Sequence, residues 1–451
     1  MTMNTIREPA KDVPVVNEVD LVVVGGSCTG VFAAVRAARL GLRVAVVEKQ
    51  NCFGGVATAG NVNVWHSLHD TTGKRRIIGG LTQEVLDRLS ARGAVLTSQD
   101  PASAFHINTE ELKIELDDLV VGHGIVPYLH SFYAGPVAEG NRLEAVIIEN
   151  KNGRGAIRAR QFVDATGDAD LALDLNLPSF EPETLQPPTM CAKIKGLNSL
   201  GDFDWQDGIR QHGAEFGLDP DWGWGGPIPG LPGIQMRADT HVFNCDTSDG
   251  DQLSHAEIEG RRQVRAFMDL IRKYGPANGD IALVDLAAVI GVRETRRIVA
   301  GYRLTGDDVL NGRPFEDAIA NGSYRVDIHH ADGPGITFRY LDGTEVVIPE
   351  RGTDPVRTRW RDPVDVDPTY YQIPWRCLLQ NRISNLVLAG RMLDADKMAF
   401  SAARVMVNMN QTGEAAGVAC ALAIKEGVPI QTVDARAIRE ALMQGGSLIV
   451  Q

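Results

Sequence analysis

The first strongly patterned stretch of the chain has two short apolar runs with an Ala-rich segment between them. Residues 21–24 form a continuous, mostly β-branched apolar run, which is typical of a strand buried on both faces of a parallel sheet. The Ala-rich residues 31–40 predict a helix that ends at Gly41. Residues 43–47 predict a second buried strand, followed directly by Glu48. The pattern therefore predicts a strand–turn–helix–strand unit.

The turn of this unit is rich in glycine and is typical of a dinucleotide site. Gly25, Gly26 and Gly30 allow the backbone to approach a pyrophosphate, which would face the N-terminus of the helix. Ser27 stands where the usual pattern has its middle glycine, and its small hydroxyl can donate to a phosphate. Glu48 ends the second strand, where a carboxylate accepts hydrogen bonds from ribose hydroxyls. A Gly-rich loop follows at residues 49–60 and suits a close approach to a ligand.

The remaining periodic segments alternate between helical and strand patterns. Apolar positions spaced as on one helix face predict helices over 80–92 and 108–122. Strand patterns at 125–133, 143–149 and 155–162 predict a small antiparallel meander. Near the C-terminus, residues 385–389 predict another buried strand. A small-residue helix is expected after a turn at 409–413.

The middle of the chain, residues 176–381, is richer in Pro, Trp and charge. Its Gly- and Pro-rich residues 220–233 predict a loop, and residues 255–274 predict an amphipathic helix. Residues 292–304 have a strand-like pattern that carries Arg293 and Glu294. The sequence His329-His330-Ala331-Asp332-Gly333 predicts a turn from which either histidine could reach a cleft, with a packed or surface histidine as the alternative.

Composition narrows the class of protein. The chain has 451 residues and a net charge of −13, which argues against a nucleic-acid partner. It has no apolar run long enough to span a bilayer, and residues 1–18 lack a signal-peptide core, so we expect a cytoplasmic protein. The six cysteines form no C-x-x-C pair. We therefore expect reduced thiols and no metal site.

Two groups of polar residues are candidates for catalysis. His66 and His69 follow the Gly-rich loop, and histidine can donate or accept a proton near neutral pH. The alternative is that each is a packed or surface histidine. Arg293 and Glu294 could contribute to a substrate site, since arginine binds carboxylates bidentately. A structural ion-pair network is the alternative for this pair.

Four segments carry a resemblance to a known family. They are residues 22–30, the Gly54-Gly55 loop, residues 164–168 (Asp-Ala-Thr-Gly-Asp), and residues 385–391 with the helix around Gly413. In this order they resemble the FAD-dependent oxidoreductases of the glutathione-reductase-like superfamily. The resemblance implies an α/β fold with a Rossmann-like FAD-binding domain split between both termini and an inserted α+β substrate domain. The implied parts are a tail at 1–18, FAD-binding residues 19–175 with the meander at about 125–162, a substrate domain at 176–381, and FAD-binding residues 382–451.

The resemblance also assigns cofactor roles to individual residues. It places Asp394 as a possible acidic counterpart at the ribityl or phosphate region, and it makes Arg404 a catalytic candidate as well as a cofactor ligand. The implied FAD-binding residues are Gly25, Gly26, Ser27, Cys28, Thr29 and Gly30 at the pyrophosphate; Glu48 at the ribose, with Lys49 beside it; Gly54, Gly55, Val56, Ala57 and Thr58 beside the ribityl chain and flavin; Ala165, Thr166 and Gly167 near the adenine half; Gly390 and Arg391; and Ser401, Arg404, Asn410 and Gly413 by the isoalloxazine.

The implied function is an oxidoreductase that moves hydride between a small organic substrate and flavin N5. Because no second dinucleotide fingerprint is present, the electron partner is expected to be external: oxygen, a quinone, a nicotinamide, another flavin or a protein. One alternative is a flavin monooxygenase, and another is a binding or assembly subunit with structural FAD. Attachment of the flavin to a histidine after the loop is a further hypothesis, and a homo-oligomer stays open.

Overall fold

A computed structural model describes residues 5–101, 104–276 and 280–450 of the chain. The first four residues of the predicted tail and residue 451 lie outside the described residues. The α-helices are α1 Cys28–Arg39, α2 Gly80–Ala91, α3 Thr109–Gly122, α4 Asp170–Asp174, α5 Trp205–His212, α6 Gly250–Tyr274, α7 Gly306–Leu310, α8 Lys397–Ala403, α9 Met406–Glu426 and α10 Ala435–Gln444.

The strands fall into one large sheet and several small ones. They are β1 Val15–Val24, β2 Val44–Val47, β3 Val64–Trp65, β4 Val95–Thr97, β5 Phe105–Ile107, β6 Val126–Tyr128, β7 Phe132–Glu139, β8 Arg142–Asn150, β9 Gly153–Asp164, β10 Ser179–Phe180, β11 Ala192–Lys195, β12 Trp224–Pro227, β13 Ile234–Ala238, β14 Ala282–Leu286, β15 Arg297–Ile298, β16 Ala318–Gly322, β17 Val326–His329, β18 Ile336–Arg339, β19 Thr344–Ile348, β20 Val356–Arg359, β21 Tyr371–Pro374 and β22 Leu386–Leu388.

The large sheet has a parallel centre that brings both ends of the chain together. Its order is β6-β2-β1-β9-β8-β7, and β22 pairs with β9 in parallel. Val24 lies opposite both Val47 and Asp164, and Leu388 also lies opposite Asp164. Four parallel strands therefore end at the same level. Ligands of open α/β sheets bind at this carboxyl edge, so the register itself indicates where a cofactor site would form.

Two helices from opposite ends of the chain cross in close contact beneath this sheet. A Cβ atom on Gly413 of α9 would lie 2.0 Å from the carbonyl oxygen of Thr29, and one on Gly417 would lie 2.1 Å from that of Ala33. Arg36 of α1 forms a buried ion pair of 2.7 Å with Glu414. Only residues without a side chain let the two backbones approach so closely, and the ion pair fixes their register.

The middle of the chain builds smaller sheets around the same edge. The antiparallel sheet β12-β13-β11-β14 packs against α6, and the sheet β17-β18-β19-β20 lies beside α8. Strands β16 and β21 fall within the predicted substrate domain, yet they pack into the same apolar core as α1 and α9. Among the described residues, no helix combines the length and apolar character that a membrane crossing requires. All six cysteines are buried and free.

The mixed α/β class and the split parallel sheet are confirmed, but several element predictions were wrong. Strand β1 begins at Val15, inside the segment predicted as a tail. The predicted strand 125–133 is two strands, because His130 adopts a φ of +49° and turns the chain between them. The first of these, β6, pairs in parallel with β2, so the antiparallel meander consists of β7, β8 and β9.

Four further predictions in the second half of the chain were also wrong. The run 292–304 forms only the two-residue strand β15, and three of its charged side chains, Arg293, Glu294 and Arg297, are buried in local networks. The predicted loop 220–233 contains strand β12, which pairs with β13 at the edge of its sheet. His329 ends strand β17 instead of opening a turn. Helix α9 begins at Met406, so residues 409–413 are helical.

Candidate functional site

One large cavity of about 1150 Å³ begins at the carboxyl edge of the parallel sheet. It extends from the glycine turn after β1 past the N-terminus of α9 to strand β17. Eighteen of the residues predicted to form the site line it: Gly25, Ser27, Cys28, Thr29, Glu48, Lys49, Gly54, Gly55, Val56, His66, Ala165, Thr166, Gly167, Arg293, Gly390, Arg391, Arg404 and Asn410. The cavity thus joins segments that are far apart in sequence.

The glycine turn at the start of the cavity is held very tightly. Gly25 has a φ of +101°, and a Cβ atom there would lie 2.3 Å from the carbonyl oxygen of Ala165. Ser27 caps α1, since its hydroxyl accepts a hydrogen bond from the Gly30 amide. The first amides of α1 consequently open into the cavity beside Cys28 and Thr29. This is the geometry of an anion site at a helix N-terminus.

Glu48 links the turn to the end of β2. One carboxylate oxygen accepts a hydrogen bond of 2.7 Å from the Gly26 amide, and the other accepts one of 2.8 Å from the Gln50 amide. The side chain is buried but still lines the cavity. Each carboxylate oxygen has a second lone pair, so Glu48 can accept further hydrogen bonds from a ligand.

The segment after β9 adds an acidic wall that the sequence analysis missed. Asp168 accepts a hydrogen bond of 2.6 Å from Arg391 and one of 2.7 Å from the Thr295 hydroxyl. Burial opposes its ionisation, but these two partners lower the pKa of Asp168. Asp164, at the end of β9, has few charged partners, and burial raises its pKa to about 6. The pairing of Asp168 with Arg391 fixes the guanidinium beside Gly167.

At the far end of the cavity, strand β17 presents one polar face. Arg325, directly before the strand, and Asp327 and His329 within it alternate with Val326 and Ile328, and all three polar residues line the cavity. Side chains two apart point to the same side of a strand. This alternation is a strand signal in the sequence, which the turn predicted at His329 obscured.

The carboxylate of Asp327 is shared by its neighbours on this face. It accepts a hydrogen bond of 2.6 Å from the Tyr324 hydroxyl, and its other oxygen lies 3.6 Å from His329 Nε2. Arg404 approaches it to 3.8 Å. The Tyr324 ring stacks on His66 with centroids 3.9 Å apart. His66, a sequence candidate, therefore joins this cluster from the Gly-rich loop side.

His329 is a buried and neutral imidazole. Burial first, and then the charge of Arg293, lower its pKa well below the ordinary value. Its Nδ1 is buried and accepts no hydrogen bond from the described residues. A second histidine, His241, lies with its ring 4.8 Å away and is itself 2.5 Å from Asp221. A neutral imidazole with an unpartnered nitrogen beside a cavity can accept a proton.

Several predicted residues act behind the cavity wall instead of lining it. Glu294 and Ser401 both bond to Gln186, which in turn accepts a hydrogen bond of 3.1 Å from the His329 amide. Glu294 also pairs with the buried Arg297. In the structure, Glu294 and Ser401 therefore support the β17 face from behind the cavity wall.

Other predicted residues support the turn or lie elsewhere, outside the described lining of the cavity. Gly26, Gly30, Ala57 and Gly413 are packing positions, and the Thr58 hydroxyl donates to the Phe53 carbonyl. His69 is in an isolated bridge with Arg76, and its carbonyl accepts a hydrogen bond from Ser323. Asp394 binds Arg303 at 2.7 Å, also outside the described lining.

Comparison with known protein families gives a match over most of the chain. The family model described as FAD dependent oxidoreductase matches residues 20–442. A dihydrolipoyl dehydrogenase from Trypanosoma brucei brucei is 35% identical over 77 residues, which are 15% of this chain and only 16% of that enzyme.

Two solved structures illustrate the more distant similarity. A geranylgeranyl bacteriochlorophyll reductase-like protein from Thermoplasma acidophilum is 11% identical with a TM-score of 0.46, over 95% of this chain and 83% of that one. A p-nitrophenol 4-monooxygenase from Pseudomonas putida is also 11% identical with a TM-score of 0.46, over 94% of this chain and 84% of that one.

Proposed function

The chain belongs to the FAD dependent oxidoreductase family, and on that premise we propose that it transfers hydride between a small organic substrate and flavin N5. Electrons would pass to or from an external partner such as oxygen, a quinone, a nicotinamide or a protein. The observation that carries this proposal is the single cavity that runs from the glycine turn to the neutral, buried His329. The end of the cavity proposed for the cofactor is thus continuous with the end that holds a proton acceptor.

Four features of the cavity fit FAD. The first amides of α1 suit its diphosphate, and Glu48 suits the ribose hydroxyls. Val405 precedes α9 without a side-chain cap, so a second helix N-terminus also opens into the cavity. Asn410 Oδ1 lines that region, is buried, and accepts no hydrogen bond from the described residues. It is an acceptor that a ring N–H can satisfy.

The protein's own residues would bind the cofactor, orient the substrate and accept or donate a proton. When bound, FAD supplies the hydride-accepting and hydride-donating chemistry. The N-terminus of α9 would provide partial positive charge to a flavin held at that end of the cavity. His329 Nδ1 would take the proton that a substrate loses when it is oxidised, and Asp327 would stabilise the resulting imidazolium. In the reverse direction the imidazolium would return that proton.

We expect Glu48→Gln to weaken FAD binding by about 10- to 100-fold, because an amide loses the charge and one of the acceptors that hold the turn. The measurement is titration of the apoprotein with FAD, followed by flavin fluorescence. Glu144→Gln is the matched control, since Glu144 is exposed in β8 and pairs with Arg142 on the surface. Equal FAD affinity of the Glu48 variant and the control would remove Glu48 from the cofactor site.

The proposed reaction is tested by anaerobic mixing of the holoenzyme with a panel of alcohols, amines and hydroxy acids. Bleaching of the flavin band by a substrate, with stoichiometric formation of the oxidised product, is the expected result. Incorporation of molecular oxygen into a product would point instead to a monooxygenase. A flavin that no substrate or reductant can bleach would overturn the redox proposal and leave a structural role for FAD.

A further inference from the structure

Arg325 lines the cavity and forms no ion pair within 4 Å among the described residues, although the carboxylates of Asp327 and Asp100 lie near enough to raise its pKa. Its guanidinium lies 4.1 Å from the Phe338 ring centroid and is also flanked by Tyr324 and Tyr340. Its Nε is buried and donates no hydrogen bond to the described residues, among which it forms no ion pair. Rings that cover the flat faces of a guanidinium leave its edge available to hydrogen bonds in the plane.

Two further arginines reach the same end of the cavity. Arg293 donates hydrogen bonds to the Pro187 carbonyl at 2.7 Å and to the Thr189 hydroxyl at 2.5 Å, both neutral acceptors. Arg404 has a buried Nε without a partner among the described residues, and its nearest carboxylate oxygen is 3.8 Å away on Asp327. Burial and then the nearby charge of Arg404 lower the pKa of Arg293 to about 10.

The positive charge at this end therefore exceeds the negative charge. Among the described residues, two carboxylates, Asp327 and Asp100, line the cavity and act on Arg325, against three guanidinium groups. Asp327 is already bonded to Tyr324. Asp221 lies nearby but contacts His241. Buried charge that is only partly compensated is costly, and a ligand of opposite charge lowers that cost.

We propose that the substrate site binds an organic carboxylate, held by the free edge of Arg325 together with Arg404 and beside His329. This inference rests on the proposed function, because it specifies the substrate class of that same site. A planar carboxylate matches the planar edge of a guanidinium. Trp222 and Trp224 line the cavity near this end, so the body of the acid is expected to include apolar surface.

The test is calorimetric titration of the holoenzyme with pairs of acids and their neutral amides: acetate and acetamide, benzoate and benzamide, phenylacetate and phenylacetamide. At least one acid is expected to bind about tenfold or more tightly than its amide. Arg325→Met is expected to abolish that preference, and Arg325→Lys to restore it in part. The inference is overturned if no acid binds more tightly than its amide, or if Arg325→Met leaves the preference for the acid unchanged. Tighter binding of phenyl phosphate than of benzoate would overturn the choice of carboxylate.

Arg357→Met is the matched control, because Arg357 is exposed in β20 of the same small sheet. Its acid preference, flavin content and unfolding temperature are expected to equal those of the unmodified protein. The titration needs no turnover, so the two proposals fail separately. If the holoenzyme binds acids selectively but no substrate reduces its flavin, only the redox proposal is overturned. Flavin reduction by neutral substrates, without preference for an acid, would overturn only the carboxylate site.

Discussion

Replacing His329 with glutamine is expected to slow reduction of the bound flavin by a substrate about 10²- to 10⁴-fold, which is the usual contribution of a general base. The imidazole is neutral and buried, and its Nδ1 has no hydrogen-bond partner among the described residues. Glutamine keeps a polar side chain of similar size but cannot accept a proton at neutral pH. The rate is measured by stopped-flow absorbance with a substrate found in the anaerobic panel.

His330→Gln provides a matched control one position further along the chain. His330 is half-buried, its Nε2 lies 3.0 Å from the Thr337 hydroxyl, and it is not among the described residues that line the cavity. We expect its reduction rate to stay within about twofold of the unmodified protein. Equal rates in both histidine variants, with full flavin content, would exclude His329 as the base.

The dependence of the rate on pH gives a second measure of the same group. An ordinary histidine loses its base form as the pH falls through about 6.5. Because burial and then Arg293 hold the pKa of His329 well below that value, its base form persists at lower pH. The rate is therefore expected to stay level through about pH 6.5 and to fall only below it. His329→Gln should lack that acid limb.

A second large effect is expected at the crossing of α1 and α9. Gly413→Ala would place a methyl group 2.0 Å from the carbonyl oxygen of Thr29. The Thr29 carbonyl belongs to the backbone of α1 and cannot rotate away as a flexible side chain can. Helix α9 must therefore move away from α1. We expect a loss of about 3 kcal/mol in the free energy of unfolding. Because Thr29 lines the cavity at the cofactor end, FAD affinity should fall as well, by roughly tenfold.

Gly122→Ala controls for the general effect of removing a helical glycine. Gly122 is the last residue of α3, and a Cβ atom there would have no atom within 4 Å. The free energy of unfolding is expected to be unchanged or to rise by up to about 1 kcal/mol. Urea denaturation of the two holoproteins compares them directly. Gly413→Ala with the stability and FAD affinity of the control would show that the helices have room to separate.

The cofactor end of the site could be anticipated from sequence because its signals are local. Gly25, Ser27 and Glu48 belong to one continuous strand–turn–helix–strand unit, in which backbone conformation alone determines where each residue lies. The same holds for Ala165 to Gly167, which directly follow a strand of the same sheet. Gly413 was predicted beside the flavin, but in the structure it lets α9 pack against α1. A single sequence segment does not show which other segment it will pack against.

The substrate end could not be anticipated in the same way. Arg325, Asp327 and His329 share a face only if residues 325–329 form a strand, and the Gly333 turn signal nearby favoured another interpretation. Gln186 has no local pattern at all. It joins Glu294, Ser401 and His329 through hydrogen bonds between segments more than a hundred residues apart. Such a network becomes visible only when the chain has folded.

The close crossing of α1 and α9 also determines when the cofactor can be captured during biosynthesis. At about 5–20 residues per second, a ribosome needs roughly 20–70 s to proceed from α1 to α9. Throughout that interval the apolar face of α1 has no partner from α9, and β9 lacks its neighbour β22. The nascent chain must therefore remain able to fold during this interval, although its nucleotide site is incomplete. We therefore expect the protein to retain FAD only after α9 has been synthesised and has packed against α1.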